Sequence, residues 1–548
     1  MAVGAHPGTI AASPYERRTP ERTVLYETLQ EHWRSFVADL EASAESPALP
    51  AFVVAEIEAF LRCGILAHGF VLARCGDCGW ARPVPFSCKR RGFCPSCIGR
   101  GMADFAAHLV DGVMPSVPLR QWVLTVPHPL RARMMFDPAL TSVVLRQLVA
   151  AVSSWLRRRA RRLGIPGALK TGAVAVIQRF NSAGAASPHF HTLFLDGVFA
   201  FRPGVSPVFH PTPAPRDEDI ARVAAAVFRR VERALAAREP GVAQRRFEEE
   251  FAAWCALASA SAAGVNATGT RRGRAVVRVR GPAGFASLDA VVTGRLCADV
   301  AGFNLQAATR VPARDHDGLE RMARYLARPP IANDRLTRLD DGRLQLELKR
   351  PWRDGTTAFV FTPHELIERL VALVPRPRAH LTRYFGVFAP AFAARAAIVP
   401  NDARSSPDRA PRLPATPNAP AHPPFRRRYP WASLIWRVFL EDVLECSRCH
   451  GRMTIVAALT SPPAIERVLR HLGFPTAAPQ LHPARPPPQV ELPFDQEPAP
   501  FYADPPATAE RLGEFSACPS PFASPPAAWT MRAASVGASR QHLRLCGD

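Results

Sequence analysis

The chain has 548 residues, 47% of them hydrophobic, and 69 Lys and Arg against 47 Asp and Glu give a net charge of +22 with a pI near 10.6. This length exceeds one ordinary domain and predicts two or three domains joined by linkers, while the charge predicts a polyanionic partner such as nucleic acid. No stretch approaches about 20 uninterrupted apolar residues, and the first residues carry no apolar segment behind a basic end. Those two observations argue against a membrane span and a secretory signal and for a cytoplasmic location.

Lysine occurs only at 89, 170 and 349, so the positive charge is arginine, whose planar fork suits phosphate. A GC-rich genome also yields such a composition. In a reducing compartment, closely spaced cysteines signal metal or redox chemistry rather than disulfides.

Residues 1–18 read as a flexible N-terminus. Over 19–42 the spacing of Leu25, Leu29, Trp33, Phe36, Val37 and Leu40 predicts a helix, with Thr19 as cap and Pro20 in the first turn. A second apolar segment runs from Phe52 to Leu66. Then Cys75 and Cys78 form one CxxC and Cys94 and Cys97 another, fifteen residues apart. Two tight turns, each presenting two thiolates, can enclose Zn²⁺ tetrahedrally, so these four predict one closed, structural zinc site. Cys88 lies between the pairs and could replace one ligand, but it reads first as a free buried thiol. Lys89, Arg90, Arg91 and Arg100 surround it, and the zinc would stiffen them into a DNA-binding surface. A solvated loop explains them as well.

After a helical stretch through His108, Gln121 to Val126 is strand-like and stops at Pro127, and a basic amphipathic helix ends in Arg157 to Arg162. Gly172 to Phe180 and His191 to Leu195 are apolar on both faces, as covered central strands are. Asp196-Gly197 reads as a tight hairpin turn. A Pro-rich stretch, 203–215, precedes a helix with Val223, Val227, Val231 and Leu235 on one face. Residues 259–275 read as a flexible loop and Phe303 to Val311 as a strand.

His189-Phe190-His191 opens the second of the two central strands, which puts both imidazoles on one face and Phe190 on the other. That is a chelating arrangement. A later helix carries Leu319, Met322, Ala323 and Leu326 as its apolar stripe, with Asp317 and Glu320 placed to cap it and Pro329-Pro330 to end it. Tyr325 falls off the stripe, beside Arg321 and Arg328. A phenol flanked by two guanidiniums suits attack on a phosphodiester, and an amphipathic surface tyrosine on arginine stems accounts for the wheel as well.

Thr362 to Val374 reads as a capped helix, and Tyr384 is a second tyrosine with basic neighbours. Residues 399–429 are a Pro/Arg-rich linker. Residues 430–475 form a C-terminal helical CxxC module whose Cys446 and Cys449 have no evident partners unless His450 serves. Residues 476–548 read as a disordered Pro-rich tail.

Taken in order, CGDCG, FSCKRRGFCPSC, RQWVLTVP, IQRF, HFHTLFLDGVF, ARYLARPPI, LKRPWRDGTT, YFGVFAP and VLECSRCHGRM closely resemble transposases of the insertion-sequence-ninety-one family and their common-region relatives, from about residue 20 to 475. The resemblance implies an α+β fold: an HUH-type antiparallel sheet flanked by helices over 111–398, an N-terminal helical and zinc-binding domain over 19–110, and a small C-terminal region. It implies a nucleoid-associated bacterial enzyme in which two histidines and a third polar residue hold Mg²⁺ or Mn²⁺ while a tyrosine attacks the scissile phosphate. His189 and His191 match the ligand pair and Tyr325 matches the nucleophile, with Arg321 and Arg328 beside it. Gln178, on the preceding strand, is inferred as the third ligand over Asn181 and Asn333. Some members carry a second tyrosine four residues earlier on this helix, where this chain has Arg321, so one tyrosine must act twice or act in two subunits of a homodimer. The expected partners are single-stranded element ends and target DNA. The competing expectation is a non-catalytic, zinc-dependent DNA-binding protein or a decayed transposase acting as a repressor.

Overall fold

The computed structural model describes residues 18–42, 49–280, 295–352, 354–399, 429–439 and 441–485. A short 3-10 turn, Pro20–Arg22, leads into α1 (Val24–Ala42) and α2 (Ala51–Arg62). Thr19 makes no side-chain cap to that turn. The two helices bury Leu25, Leu29, Phe36, Val53 and Ile57 in a shared core. Then come β1 (Phe70–Cys75), β2 (Ala81–Pro85), α3 (Pro95–Gly112), β3 (Leu119–Thr125), α4 (His128–Phe136) and α5 (Pro138–Arg162). The basic helix expected before Arg162 is thus two, divided where Asp137 caps α5 by accepting from Leu140 N–H at 2.8 Å and Pro138 takes the first turn.

The middle of the chain gives β4 (Ala168–Lys170), β5 (Gly172–Phe180), β6 (Ala186–Leu195), β7 (Gly197–Arg202), β8 (Val205–Pro211), α6 (Asp217–Ala236), α7 (Val242–Glu250) and α8 (Ala252–Ala263). It continues through β9 (Val277–Arg280), β10 (Cys297–Val300), β11 (Phe303–Gln306), β12 (Arg310–Val311), α9 (His316–Leu326), β13 (Leu336–Arg338), β14 (Leu344–Glu347) and β15 (Thr356–Phe361). The last elements are α10 (Pro363–Leu373), β16 (Thr382–Gly386), α11 (Trp431–Phe439), β17 (Met453–Leu459) and α12 (Pro462–His471). The architecture is α+β, helices with antiparallel sheets.

The largest sheet runs β10-β11-β3-β6-β5-β16, with β12 also paired to β3. Its two faces follow from the period of two along each strand. Trp122, Leu124, Ile177, Phe190 and Phe194 point to one face and are covered by α5 and α6. Val174, Leu193 and Leu195 point to the other, under α3 and α9. By composition α5 is long and apolar enough to cross a membrane, and its apolar side, Leu140 to Leu156, lies in this core.

Several expectations need correction. Asp196-Gly197 is not a hairpin turn, because β6 stays in the large sheet while β7 pairs with β4 and β8. Asp196 is a buried carboxylate gripped in two places by Arg120 (Nε and Nη2, both at 3.0 Å) and touched by Arg310 at 3.1 Å. The Pro-rich stretch after it contains β8, an edge strand where proline is tolerated. Residues 259–275 are not a free loop. Helix α8 runs to Ala263, and beyond it Glu368 accepts from Ala267 N–H and Thr268 N–H at 2.9 and 2.8 Å, while Asn266 donates to Glu365 at 2.8 Å.

The C-terminal module is not separate either. Strand β17 pairs with β1, forming the sheet β17-β1-β2. Of the tail expected to be disordered, the part up to 485 runs along α1, where Gln30 donates to the Gln480 carbonyl at 2.7 Å and Arg485 N–H donates to Ser35 Oγ at 2.9 Å. The rest of the tail, residues 1–17 and most of the 399–429 linker lie outside the described residues.

Candidate active site and metal centres

The four cysteines expected in one zinc site divide between two. Cys94 and Cys97 join Cys63 and Cys88, whereas Cys75 and Cys78 join Cys446 and Cys449, each set with its sulfurs within 4.8 Å of one another. Spacing misled because strand β1 and its continuation carry the first CxxC to the far side of the module, where it meets the C-terminal strand. Cys88 is therefore a cluster member and not a lone thiol.

In the first cluster, Cys63–Cys97, Cys88–Cys97 and Cys94–Cys63 lie 3.6, 3.3 and 3.8 Å apart. In the second, Cys75–Cys449 and Cys78–Cys446 lie 3.5 and 3.7 Å apart. A disulfide needs about 2.05 Å, whereas sulfurs at 2.3 Å from a tetrahedral Zn²⁺ stand about 3.8 Å apart. Both sets fit structural zinc. Among the first four, hydrogen bonds from Cys88, Cys94 and Cys97 hold the Cys63 thiol far below its usual range, and those same contacts push Cys88 and Cys94 up. Four sulfurs cannot share one negative charge evenly, and a dication accepts all four as thiolates.

The knuckle geometry is built by local backbone. Gly79 and His450, each following the second cysteine of its CxxC, have φ of +73° and +59°. A Cβ on Gly451 would meet the Asp77 carboxylate and stand 3.1 Å from Cys75 Sγ, so a side chain there would crowd the cysteine cluster. His450 is not a ligand, since its Nδ1 pairs with Glu445 at 2.6 Å and its side chain is 80% exposed.

On the large sheet, Gln178 of β5 stands directly opposite His189 of β6, and His191 stands between Val123 of β3 and Val176 of β5. The histidines share a face, and their Nε2 atoms are 3.0 Å apart. Two ligands at adjacent corners of an octahedral ion, about 2.1 Å from it, are separated by about 3.0 Å. The Ser187 carbonyl accepts from His189 Nδ1 at 2.7 Å, which leaves the Nε2 lone pair inward. His191 Nδ1 accepts from the Gln121 amide nitrogen at 2.7 Å, and the same amide turned end for end would instead accept from Nδ1–H. Burial pushes His189 down to about 4 and His191 well below its ordinary value, with Arg328 lowering both. Both rings are neutral at pH 7 and available as ligands.

Gln178 is buried and donates its amide N–H to the Leu326 carbonyl at 3.1 Å, while its Oε1 has no hydrogen-bond partner. An orphaned acceptor opposite His189 is what a third ligand would look like. Asn181 spends its oxygen on Ala183 N–H and Ala185 N–H at 3.0 and 3.1 Å, and Asn333 is exposed. Neither competes.

Helix α9 brings Tyr325 to this face. Its cap is Asp315, accepting from Gly318 N–H at 2.8 Å, rather than Asp317 or Glu320. Leu319, Ala323 and Leu326 are buried, leaving Tyr325 46% exposed. The Tyr325 ring stands edge-on to His191 with centroids 5.6 Å apart, and the Arg328 guanidinium lies over the phenol at 4.5 Å. Arg321 is exposed on the same helix. Tyr384, on β16 opposite Val174, faces the same side but packs against His108, and burial pushes its phenol up.

Lys89, Arg90, Arg91 and Arg100 are exposed, the first three in the loop that the Cys63 cluster holds. Arg91 donates to the Ala379 carbonyl at 2.9 Å, which ties the basic loop to the segment before β16. Not anticipated from the sequence were Cys63 as a cluster member, Cys75 and Cys78 as the partners of Cys446 and Cys449, and Gln121 as the partner of His191. The last had a signal: a glutamine within the apolar run RQWVLTV, in step with Val123 on the inward face.

Two family models match the chain: residues 28–126 match one described as "Transposase zinc-binding domain" and residues 172–396 one described as "Putative transposase". The first covers α1 through β3 with the cysteines up to Cys97, and the second covers the strands and helix that carry His189, His191, Gln178 and Tyr325. Neither the curated proteins nor the solved structures include a match.

Proposed function

The chain belongs to the insertion-sequence-ninety-one-like transposases, DNA-binding and DNA-cutting enzymes with structural zinc, and we propose that it nicks single-stranded element ends through Tyr325 as a single-tyrosine HUH nuclease. The observation that carries this reading is the contact of Tyr325 with His191, 5.6 Å between ring centroids, made by residues remote in sequence. His189, His191 and Gln178 would hold Mg²⁺ or Mn²⁺. Bound there, the ion would supply Lewis-acid polarisation of the scissile phosphate.

The residues then divide the work. The Tyr325 oxygen attacks phosphorus as its proton passes to water, the P–O bond to the 3′ oxygen breaks, and the departing 3′ oxygen takes a proton from water, giving a 5′-phosphotyrosine and a 3′-hydroxyl. Arg328, over the phenol, meets the phosphate charge, and exposed Arg321 meets the flanking backbone. Attack on the phosphotyrosine by another 3′-hydroxyl reverses the step and joins strands, so transfer needs no external energy source. This is the chemistry of rolling-circle transposition. The basic loop at Lys89 to Arg91 would hold the DNA leading to the site, and a homodimer would provide a second tyrosine.

Single-stranded oligonucleotides spanning the ends of the encoding element, incubated with Mn²⁺ or Mg²⁺, test the reading. His189→Ala is expected to abolish cleavage and leave the zinc content unchanged. Unimpaired cleavage by that variant would refute the assignment, and loss of zinc with it would merge metal sites that are here kept apart.

A further inference from the structure

The C-terminal arm, residues 429–459, touches the zinc module and the tyrosine helix at once. Helix α11 lies on α3, with Leu434 packed against Ala103 and Ala107. Tyr429 donates its hydroxyl to Asp111 at 2.6 Å and its backbone N–H to Asp104 at 2.8 Å. In the last turn of α11, Arg437 joins three helices. It donates from Nη1 to Asp111 Oδ2 on α3 at 2.6 Å, and from Nη2 and Nε to Glu320 Oε2 on α9 at 2.7 and 3.0 Å.

The second oxygen of Glu320 accepts from Arg324, the neighbour of Tyr325, at 2.5 Å. Burial alone would raise the Glu320 carboxyl, but the hydrogen bonds and charges of Arg437 and Arg324 together outweigh it and leave that group below its usual range. Beyond α11, Arg82 donates to the Val443 carbonyl. Cys446 and Cys449 then meet Cys75 and Cys78, and β17 pairs with β1.

Helix α9 has 11 residues and buries only Leu319, Ala323 and Leu326. A helix this short is marginal without tertiary support, and a single apolar stripe of Leu319, Ala323 and Leu326 with half-buried Met322 leaves its rotation about its own axis loosely fixed. Rotation would carry Tyr325 away from His191. The guanidinium bridge from α3 through Arg437 to Glu320 opposes it.

We propose that Arg437 is a positioning residue for Tyr325, and that a zinc ion on Cys75, Cys78, Cys446 and Cys449 keeps the arm bearing Arg437 closed on α9. The inference rests on the reading of Tyr325 as nucleophile. The bridge is partly solvated, and such pairs contribute little to folding, so its effect falls on geometry.

The test uses the full chain in three variants: Arg437→Ala, Arg437→Lys, and Cys446→Ser combined with Cys449→Ser. Zinc content, oligonucleotide affinity, the single-turnover rate of covalent adduct formation and amide exchange over 316–326 are measured. Arg437→Ala is expected to bind two zinc ions and DNA as the unsubstituted chain does, to exchange faster over 316–326, and to form adduct slower by on the order of 10²-fold, the effect of a misplacement of about 1 Å. Arg437→Lys should recover part of the rate. The double cysteine variant should hold one zinc instead of two and show the same slowed adduct and faster exchange.

An unchanged adduct rate in Arg437→Ala, or two zinc ions in the double variant, would overturn the proposal. If the unsubstituted chain forms no adduct, the nucleophile reading fails by itself. Exchange over 316–326 then decides the bridge: faster in Arg437→Ala upholds it, and unchanged refutes it.

Discussion

His191 shows how one side chain can be set by its neighbours. Its ring lies between strands whose apolar partners, Val123 and Val176, exclude water, and its Nδ1 is fixed by Gln121 at 2.7 Å. The atom placed against Nδ1 is the Gln121 amide nitrogen; with the amide turned end for end, its oxygen would accept from Nδ1–H and free the Nε2 lone pair, the arrangement that orients imidazole ligands in metal sites. Gln121→Ala is therefore expected to weaken Mn²⁺ binding by roughly 10–100-fold, measured by calorimetry, with zinc content unchanged. A second histidine matters for stability. Burial, with Arg485 adding, pushes His32 down to about 4 from an ordinary 6.5. Between those values the unfolded chain binds the proton and the folded chain does not, so stability falls as pH drops from 6.5 toward 4. His32→Gln should flatten that part of the pH dependence of Tm, and an unchanged slope would contradict the assignment.

Among elements, β5 and β6 were the most legible in the sequence. Their unbroken apolar runs gave Gly172–Phe180 as strand, and the period of two put both histidines on one face. Helix α9 was legible through its stripe, which left Tyr325 outside it. What was not legible depends on contacts between distant segments. Asp196-Gly197 has the composition of a turn, yet a carboxylate 5% exposed and held by Arg120 outweighs that local preference. Removing one member of a buried pair strands the other, so Asp196→Asn is expected to lower stability by about 3–5 kcal/mol in urea titration. A loss below about 1 kcal/mol would mean that the pair is solvated. The 264–275 segment likewise has loop composition, and the buried Glu365, Glu368 and Arg369 of α10 tie it down.

At the scale of the molecule, the two cysteine clusters were the least legible feature. Spacing alone favoured joining Cys75 and Cys78 to Cys94 and Cys97. The partners of the first pair lie near the other end of the chain, brought in by the β17–β1 ladder, and no local rule reports such closure. The resulting frame holds α3 and α9 over one face of the large sheet, with α5 and α6 filling the other. It leaves Tyr325 beside His191 with arginines around it, the arrangement on which the proposed reaction depends. The most direct measurement is denaturing electrophoresis and peptide mass spectrometry after incubation with labelled single-stranded element ends and Mn²⁺. The account predicts a covalent protein–DNA species mapped to Tyr325 and absent in Tyr325→Phe. DNA cleaved equally well by Tyr325→Phe, or an adduct mapped to Tyr384, would contradict it.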